Sequence, residues 1–291
     1  MKGPLPVLRT RLSLDAPAKI NWFLGVAGKR DDGYHNIASL MQCISLYDTL
    51  TFDHADSVNI VSDLDIPVHD NIVHKAASLL KEYTSCRKGA DILLKKNVPV
   101  SAGLGGGSSD AACTLLGLNE LWGLGLSRKK LSSIASKIGS DVPFFLKGPA
   151  ALVEGKGEKT RRVKINSSVV LLLVKPFVSV STAWAYASFD KMKSDKLTKN
   201  VVDIKLFCRA LTRKDFSSLG EMLFNDLEEV VTRKYPVVTE IKNRLMEEGA
   251  FFSAMSGSGP SVFGVYGSRE TAEKAAGRME PHLCRVVETL I

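Results

Sequence analysis

Residues Pro99, Val100, Ser101, Ala102, Gly103, Leu104, Gly105, Gly106, Gly107, Ser108 and Ser109 place four glycines and two closing serines directly before an apolar, helix-forming run. Glycine lets backbone N–H groups close in on a ligand. The first turn of a helix leaves those N–H groups unpaired and carries a partial positive charge. Together they make a cradle for phosphate. No lysine follows the glycines, so the loop is not a Walker A loop. Ser108 stands where a dinucleotide fingerprint needs its third glycine. A flexible surface turn is the plainer reading, and the strand and helix signals on either side argue against it.

Transfer of a phosphoryl group to an alcohol also needs a cation for the developing charge and a group to deprotonate the hydroxyl. Lys19 and Asp141 are the candidates. A lysine beside a carboxylate keeps it ionised, and so able to accept a proton at neutral pH. Each has a plainer reading as well. An aspartate between a helix end and Val142-Pro143 suits a cap or an Asx-turn, and lysines on strands usually face water. Spacing alone does not bring the two together.

The surrounding elements must do that positioning. Residues 11–27 alternate as a strand, with Ile20, Trp22, Leu24 and Val26 on one face and Lys19 and Asn21 on the other. Asp31-Asp32-Gly33 signals a turn that delivers Tyr34 and His35. A strand follows over 37–53, a helix over 71–83 and a strand over 90–96. Ser108 or Ser109 is placed to cap the helix after the glycine loop. Ser127 caps another helix, which Gly139 ends, and Pro143 favours extended geometry at Val142. A hairpin lies around Gly155-Lys156-Gly157. Beyond it come a strand at 169–174, helices over 181–190, 203–211, 215–232 and 236–248, then strand, loop, strand, helix and strand to residue 289. Ser256-Gly257-Ser258-Gly259-Pro260 reads first as a tight hairpin turn, and second as a further anion-binding loop.

At 291 residues the chain has room for two domains with cores, 1–165 and 166–291. Antiparallel strands with helices on one face make it α+β. The +8 net charge suits an anionic partner. Its basic residues are scattered, without the aromatic-interleaved stripe that single-stranded nucleic acid favours. Five separated cysteines without a C-x-x-C pair argue against zinc and a disulfide framework, and for reduced thiols in cytoplasm. Neither a signal peptide nor a membrane span is expected, and the absence of a transit peptide favours a bacterial form.

Three blocks in order, Pro17-Ala18-Lys19-Ile20-Asn21, Pro99–Ser109 and Ser256–Pro260, resemble the GHMP kinase superfamily. Lys29-Arg30-Asp31-Asp32-Gly33-Tyr34-His35 and Gly139-Ser140-Asp141-Val142-Pro143-Phe144 narrow the resemblance to its 4-diphosphocytidyl-2-C-methyl-D-erythritol kinase family. Asp70–Val73 and Asn225-Asp226-Leu227-Glu228 are similar to it too. The resemblance implies a cytoplasmic kinase of two domains, an N-terminal ATP-binding domain like ribosomal protein S5 domain 2 and a ferredoxin-like C-terminal domain. It implies that ATP phosphorylates the 2-hydroxyl of a cytidine diphosphate-linked polyol in isoprenoid biosynthesis. Asp141 would be the base and Lys19 its partner, with Asn21, Gly257 and Gly259 on the acceptor and Pro99–Ser109, Asn71 and Lys96 on ATP. Tyr34 and His35 would hold cytosine, with Tyr186 completing an aromatic sandwich and Trp184 as its rival. Asp110, near the phosphates, would point away or act through magnesium, which phosphates and water would mainly hold. A mevalonate- or homoserine-type kinase is the nearest alternative, and a nucleic-acid-binding module a distant one.

Overall fold

The structure, a computed structural model, describes residues 11–64, 71–192 and 202–291. Asp70, the first residue of the Asp70–Val73 block, lies outside them. Two long antiparallel strands open the chain, β1 (Leu12–Lys29) and β2 (His35–Ala55), joined by the expected turn at Asp31-Asp32-Gly33. Register shifts between Pro17 and Ala18, and again between Asn21 and Phe23, bracket the segment that carries Lys19 and Asn21. Such bulges bend a strand and re-aim its side chains.

β3 (Val58–Ser62) lies parallel to β4 (Gly89–Lys95), with α1 (Ile72–Thr84) between them in sequence. Next come α2 (Gly106–Leu121), α3 (Arg128–Ile138) and the short α4 (Val142–Phe145). A hairpin of β5 (Ala150–Gly155) and β6 (Lys159–Arg162) completes the first sheet, ordered β3-β4-β2-β5-β6 with β1 against β2. One side of this sheet packs on the helices. Leu50, Phe52, Ile92 and Leu94 from the strands meet Val73, Leu80, Leu115, Leu118, Trp122 and Ile134 in one buried cluster.

The second sheet is fully antiparallel and ordered β10-β7-β9-β8. Its strands are β7 (Val170–Lys175), β8 (Ser253–Met255), β9 (Val262–Tyr266) and β10 (Leu283–Glu288). Between β7 and β8 lie α5 (Thr182–Met192), α6 (Ile204–Arg213), α7 (Phe216–Glu221), α8 (Glu228–Lys234) and α9 (Val237–Glu247); α10 (Arg269–Ala276) precedes β10. Chain order 4-1-3-2 across four strands, with helices between them, is the ferredoxin-like arrangement. The two-sheet α+β architecture is the one expected.

A shared core joins the sheets. Ile20 and Trp22 of β1 sit among Leu171, Leu173, Phe207 and Phe263. The Trp22 indole meets Phe207, Phe252 and Phe263 edge-on, at centroid distances of 5.6, 6.4 and 5.8 Å. Alternation along β1 then turns Lys19 and Asn21 the other way. That side is a cleft, not open solvent: both residues are only 3% exposed.

Three local expectations need correction. The serines do not cap α2; Gly105 does, at φ 70°, and makes no side-chain cap bond. Ser109 is buried inside the helix, its hydroxyl without a partner among the described residues. Val142 is helical rather than extended, because Pro143 occupies the first turn, where a missing N–H costs nothing. Gly139 ends α3 as expected, in extended geometry. The helix expected over 215–232 is broken into α7 and α8. Backbone bonds from Leu24 to the Phe224 carbonyl (2.8 Å) and from Asp226 to the Leu24 carbonyl (2.9 Å) pull the intervening segment onto β1. The Asp226 carboxylate accepts from the Val26 N–H at 2.7 Å. Among the described residues no helix is long and apolar enough to cross a membrane.

Candidate active site

Two cavities meet in the cleft. The larger, about 740 Å³, is lined by Pro99 through Ser108, Lys19, Asn21, Asn71, Lys96, Asp110, Gly257 and Ser258. The smaller, about 410 Å³, is lined by Lys29, Tyr34, His35, Lys156 and Asp190. Asp141, Ile37, Thr182, Ala183 and Tyr186 border both. A carboxylate therefore stands at the junction.

The wall of the larger cavity is mostly backbone. With glycine as the N-cap of α2, the N–H groups of Gly106, Gly107 and Ser108 have no partner inside the helix. Space is as demanding as conformation. A Cβ on Gly103 (φ +75°) would stand 2.2 Å from the Ser256 carbonyl oxygen, and one on Gly106 2.9 Å from Val98. The hairpin reading of Ser256–Pro260 holds. The segment joins β8 to β9, and it also locks onto the glycine loop through the Ser256 hydroxyl, which donates to the Gly103 carbonyl at 3.0 Å. Gly257 and Ser258 reach the cavity, whereas Gly259 packs behind Gly103. Asn225, flagged only by resemblance, anchors this loop by donating to the Met255 and Gly257 carbonyls at 2.9 and 2.8 Å.

Lys19 and Asp141, 122 positions apart in sequence, face each other. The Lys19 ammonium donates to Asn21 Oδ1 at 2.6 Å and to the Gly103 carbonyl at 3.1 Å, and lies 3.8 Å from Asp141 Oδ2. Burial lowers the pKa of Lys19, and Asp141 opposes that shift. Asp141 precedes α4 but makes no side-chain cap bond, so its carboxylate is left to the cleft, 30% exposed. The plain cap reading of this residue does not hold. Asn21 also donates to the Ser39 hydroxyl at 2.7 Å, which fixes its amide.

Lys96 is a different kind of lysine. Its ammonium sits between the carboxylates of Asp48 and, at 2.7 Å, Asp110. Burial would lower its pKa, but the two carboxylates outweigh that and raise it. Asp48 also accepts from the Asn97 and Val98 N–H groups, pinning the strand end that leads into the loop. Asp110 points at Lys96. Burial, aided by Asp48, pushes its pKa up to about 7, and its Oδ1 has no partner among the described residues. Asn71 lines the cavity while its Oδ1 caps α1 by accepting from the Val73 N–H at 2.9 Å. Among the described residues no group of three or more His, Cys, Asp or Glu could hold a metal ion.

The smaller cavity is built of side chains. His35 stacks on Tyr186, with ring centroids 5.1 Å apart and planes 24° apart. Tyr34 is half exposed, with the Lys156 ammonium 4.7 Å from its ring centroid. His35 thus stacks on Tyr186, and Tyr34 lines the same cavity. Trp184 turns away, packing on Tyr235 under the Lys234 ammonium. Burial, with Asp141 nearby, raises the Tyr186 hydroxyl above its usual range. Asp190 and Lys156 were missed in the sequence. Asp190 follows Tyr186 by one helical turn, and that spacing was the available signal. Thr182 also escaped notice; its hydroxyl bonds that of Ser258 at 2.8 Å, tying α5 to the second loop.

The chain matches the GHMP kinases N terminal domain over residues 71–149 and the GHMP kinases C terminal domain over 207–283. It is 46% identical to a 4-diphosphocytidyl-2-C-methyl-D-erythritol kinase of Thermodesulfovibrio yellowstonii, over 96% of this chain and 98% of that one. A protein of the same name from Pelotomaculum thermopropionicum is 44% identical, with 90% and 92% covered. Among solved structures, a 4-(cytidine 5'-diphospho)-2C-methyl-D-erythritol kinase superposes with a TM-score of 0.80 at 31% identity, over 95% of this chain and 99% of that one. A homoserine kinase from Cytophaga hutchinsonii shares the fold, with a TM-score of 0.76 at 20% identity over 100% and 98% of the two chains.

Proposed function

This chain belongs to the 4-diphosphocytidyl-2-C-methyl-D-erythritol kinase family of GHMP kinases, and we propose that its two cavities hold the two substrates of that reaction, with transfer at Asp141. The enzyme phosphorylates the 2-hydroxyl of 4-diphosphocytidyl-2-C-methyl-D-erythritol with ATP, giving the 2-phosphate and ADP. One observation carries the assignment of roles: of the five residues that border both cavities, Asp141 is the carboxylate, and it is paired with the buried Lys19.

ATP occupies the larger cavity, its phosphates on the open N–H groups of α2 and the glycine loop. Asn71 and Lys96 flank it towards the nucleoside. The acceptor reaches in from the smaller cavity, where Tyr34 and Tyr186 offer aromatic faces to cytosine and His35 a polar edge. Asp141 takes the proton of the 2-hydroxyl as that oxygen bonds the γ-phosphorus and the bond to the β-phosphate oxygen breaks. Lys19 holds Asp141 ionised and balances charge on the transferring group. Asn21 and Gly257, beside Lys19, fix the acceptor. Gly259, behind Gly103, supports the loop instead of touching substrate.

Magnesium fits this site as a partner of ATP. It prefers hard oxygen ligands and keeps several waters, and Asp110, whose buried Oδ1 is unpartnered among the described residues, borders the cavity. Bound with the nucleotide, it would neutralise phosphate charge.

The test is direct. With MgATP and diphosphocytidyl-methylerythritol, the protein yields ADP and the 2-phosphate, and CDP inhibits by competing with the acceptor. Turnover of mevalonate or homoserine in place of that acceptor, with no effect of CDP, would overturn the substrate assignment.

A further inference from the structure

Asp190 of α5 reaches across to the β1–β2 hairpin and meets two residues there. Its Oδ1 lies 2.6 Å from His35 Nε2, and its Oδ2 3.1 Å from the Lys29 ammonium. Although burial acts to raise its pKa, the bonds from His35 and Lys29 hold Asp190 below the usual carboxylate range. A carboxylate can only accept hydrogen bonds, so the imidazole nitrogen facing it must carry the proton. The His35 ring is otherwise fixed, with its side chain 5% exposed and lying against Tyr186. Its other nitrogen, Nδ1, bonds nothing among the described residues, and His35 lines the smaller cavity. Lys29 gives Asp190 a second cationic partner, and Nδ1 is the ring nitrogen left to face the cavity.

We infer that Asp190 is a positioning residue that fixes the tautomer of His35, and thereby makes this cavity select a pyrimidine with a ring amino group over one with a carbonyl in its place. The inference rests on the reading of this cavity as the nucleoside end of the site. An accepting Nδ1 pairs with the exocyclic amine of cytosine, whereas uracil presents a carbonyl oxygen there and the two acceptors repel. A contact of this kind discriminates between bases by about ten- to hundredfold. Neither stacking on an aromatic ring nor attraction of the diphosphate by Lys29 and Lys156 would tell the two bases apart, because both are common to them.

The variant Asp190→Asn tests this while keeping size and one accepting oxygen. Its amide can also donate to a bare Nε2, which frees the His35 proton to move to Nδ1. Nitrogen-detected imidazole NMR of the wild-type protein should show His35 protonated on Nε2, and D190N should show a shift towards Nδ1. Wild-type protein should bind CDP over UDP, and D190N should lose at least about tenfold of that preference. The KM for ATP, and kcat at saturating acceptor, should stay within about twofold, since His35 does not touch the transferring phosphate. Protonation on Nδ1 in the wild type, or an unchanged CDP-to-UDP ratio in D190N, would overturn the inference while leaving the kinase reaction intact. Wild-type protein that binds neither CDP nor UDP would overturn the nucleoside reading beneath it.

Discussion

The two ends of the cleft are built from different materials. The end proposed for phosphate is backbone: glycines at positive φ, the open first turn of α2, and a second loop seated against them. The end proposed for the nucleoside is side chains drawn from four places, the β1–β2 hairpin, the segment around Asp141, the β5–β6 turn with Lys156, and α5. At Gly103 and Gly106 the first end has no room for a side chain, whereas the second end is made of side chains. Backbone cradles bind any phosphate, so selection among substrates falls to the side-chain end. Two buried lysines show the same division. Lys96 is locked between Asp48 and Asp110 and braces the loop, whereas Lys19 has one carboxylate at 3.8 Å and stays available for chemistry.

The junction between the ends should show the largest effect. Asp141→Asn is expected to lower kcat by about 10²–10⁴-fold, the usual worth of a general base. ATP and CDP should bind this variant nearly as well as they bind the wild type. Steady-state kinetics and equilibrium binding check both, and near-normal turnover would remove Asp141 from its role.

Gly103→Ala breaks the backbone end by adding one carbon. A non-glycine residue at positive φ costs about 1–3 kcal/mol, and here the new Cβ would also meet the Ser256 carbonyl. A lower melting temperature and a raised KM for ATP are expected, with CDP affinity little changed. Tyr34→Ala breaks the other end by subtraction. Loss of base stacking, worth about 1–3 kcal/mol, should raise the KM for the acceptor roughly tenfold, less than a buried ring would, and leave the KM for ATP alone. If both variants damaged both substrates equally, the division of the cleft would fail.

The smallest effect is one of pH. Burial lowers the pKa of Lys19 from 10.5, against the pull of Asp141. Its charge is therefore lost as pH rises through the lowered value, and kcat should fall on the alkaline side below pH 10.5. In whatever activity Lys19→Arg retains, the alkaline limb should move upward, because a guanidinium stays charged to about pH 12. A pH–rate profile of the two proteins checks the direction.

Those two materials also explain what the sequence disclosed. The glycine loop is contiguous, and its chemistry follows from residue types alone. The strand period set Lys19 and Asn21 on one face, and Ser127 marked the start of α3 as its side chain now shows. The missed features depend on distant contacts. No local signal told α7 and α8 apart, since Asn225 and Asp226 leave the helix to bond β1 and the second loop. Ser109 looked like a cap because serine often is one; packing placed it inside the helix instead. Tyr186 was found by resemblance, but its stacking on His35 and the reach of Asp190 to that ring arise only when α5 meets the hairpin.

The most direct test of the account is a crystal structure with a non-transferable ATP analogue and the intact acceptor bound together. The acceptor's 2-oxygen should lie within about 3 Å of the Asp141 carboxylate, with the γ-phosphate on the Lys19 side and cytosine beside His35. An acceptor whose 2-oxygen is turned away from Asp141, or whose base lies against the glycine loop, would contradict it.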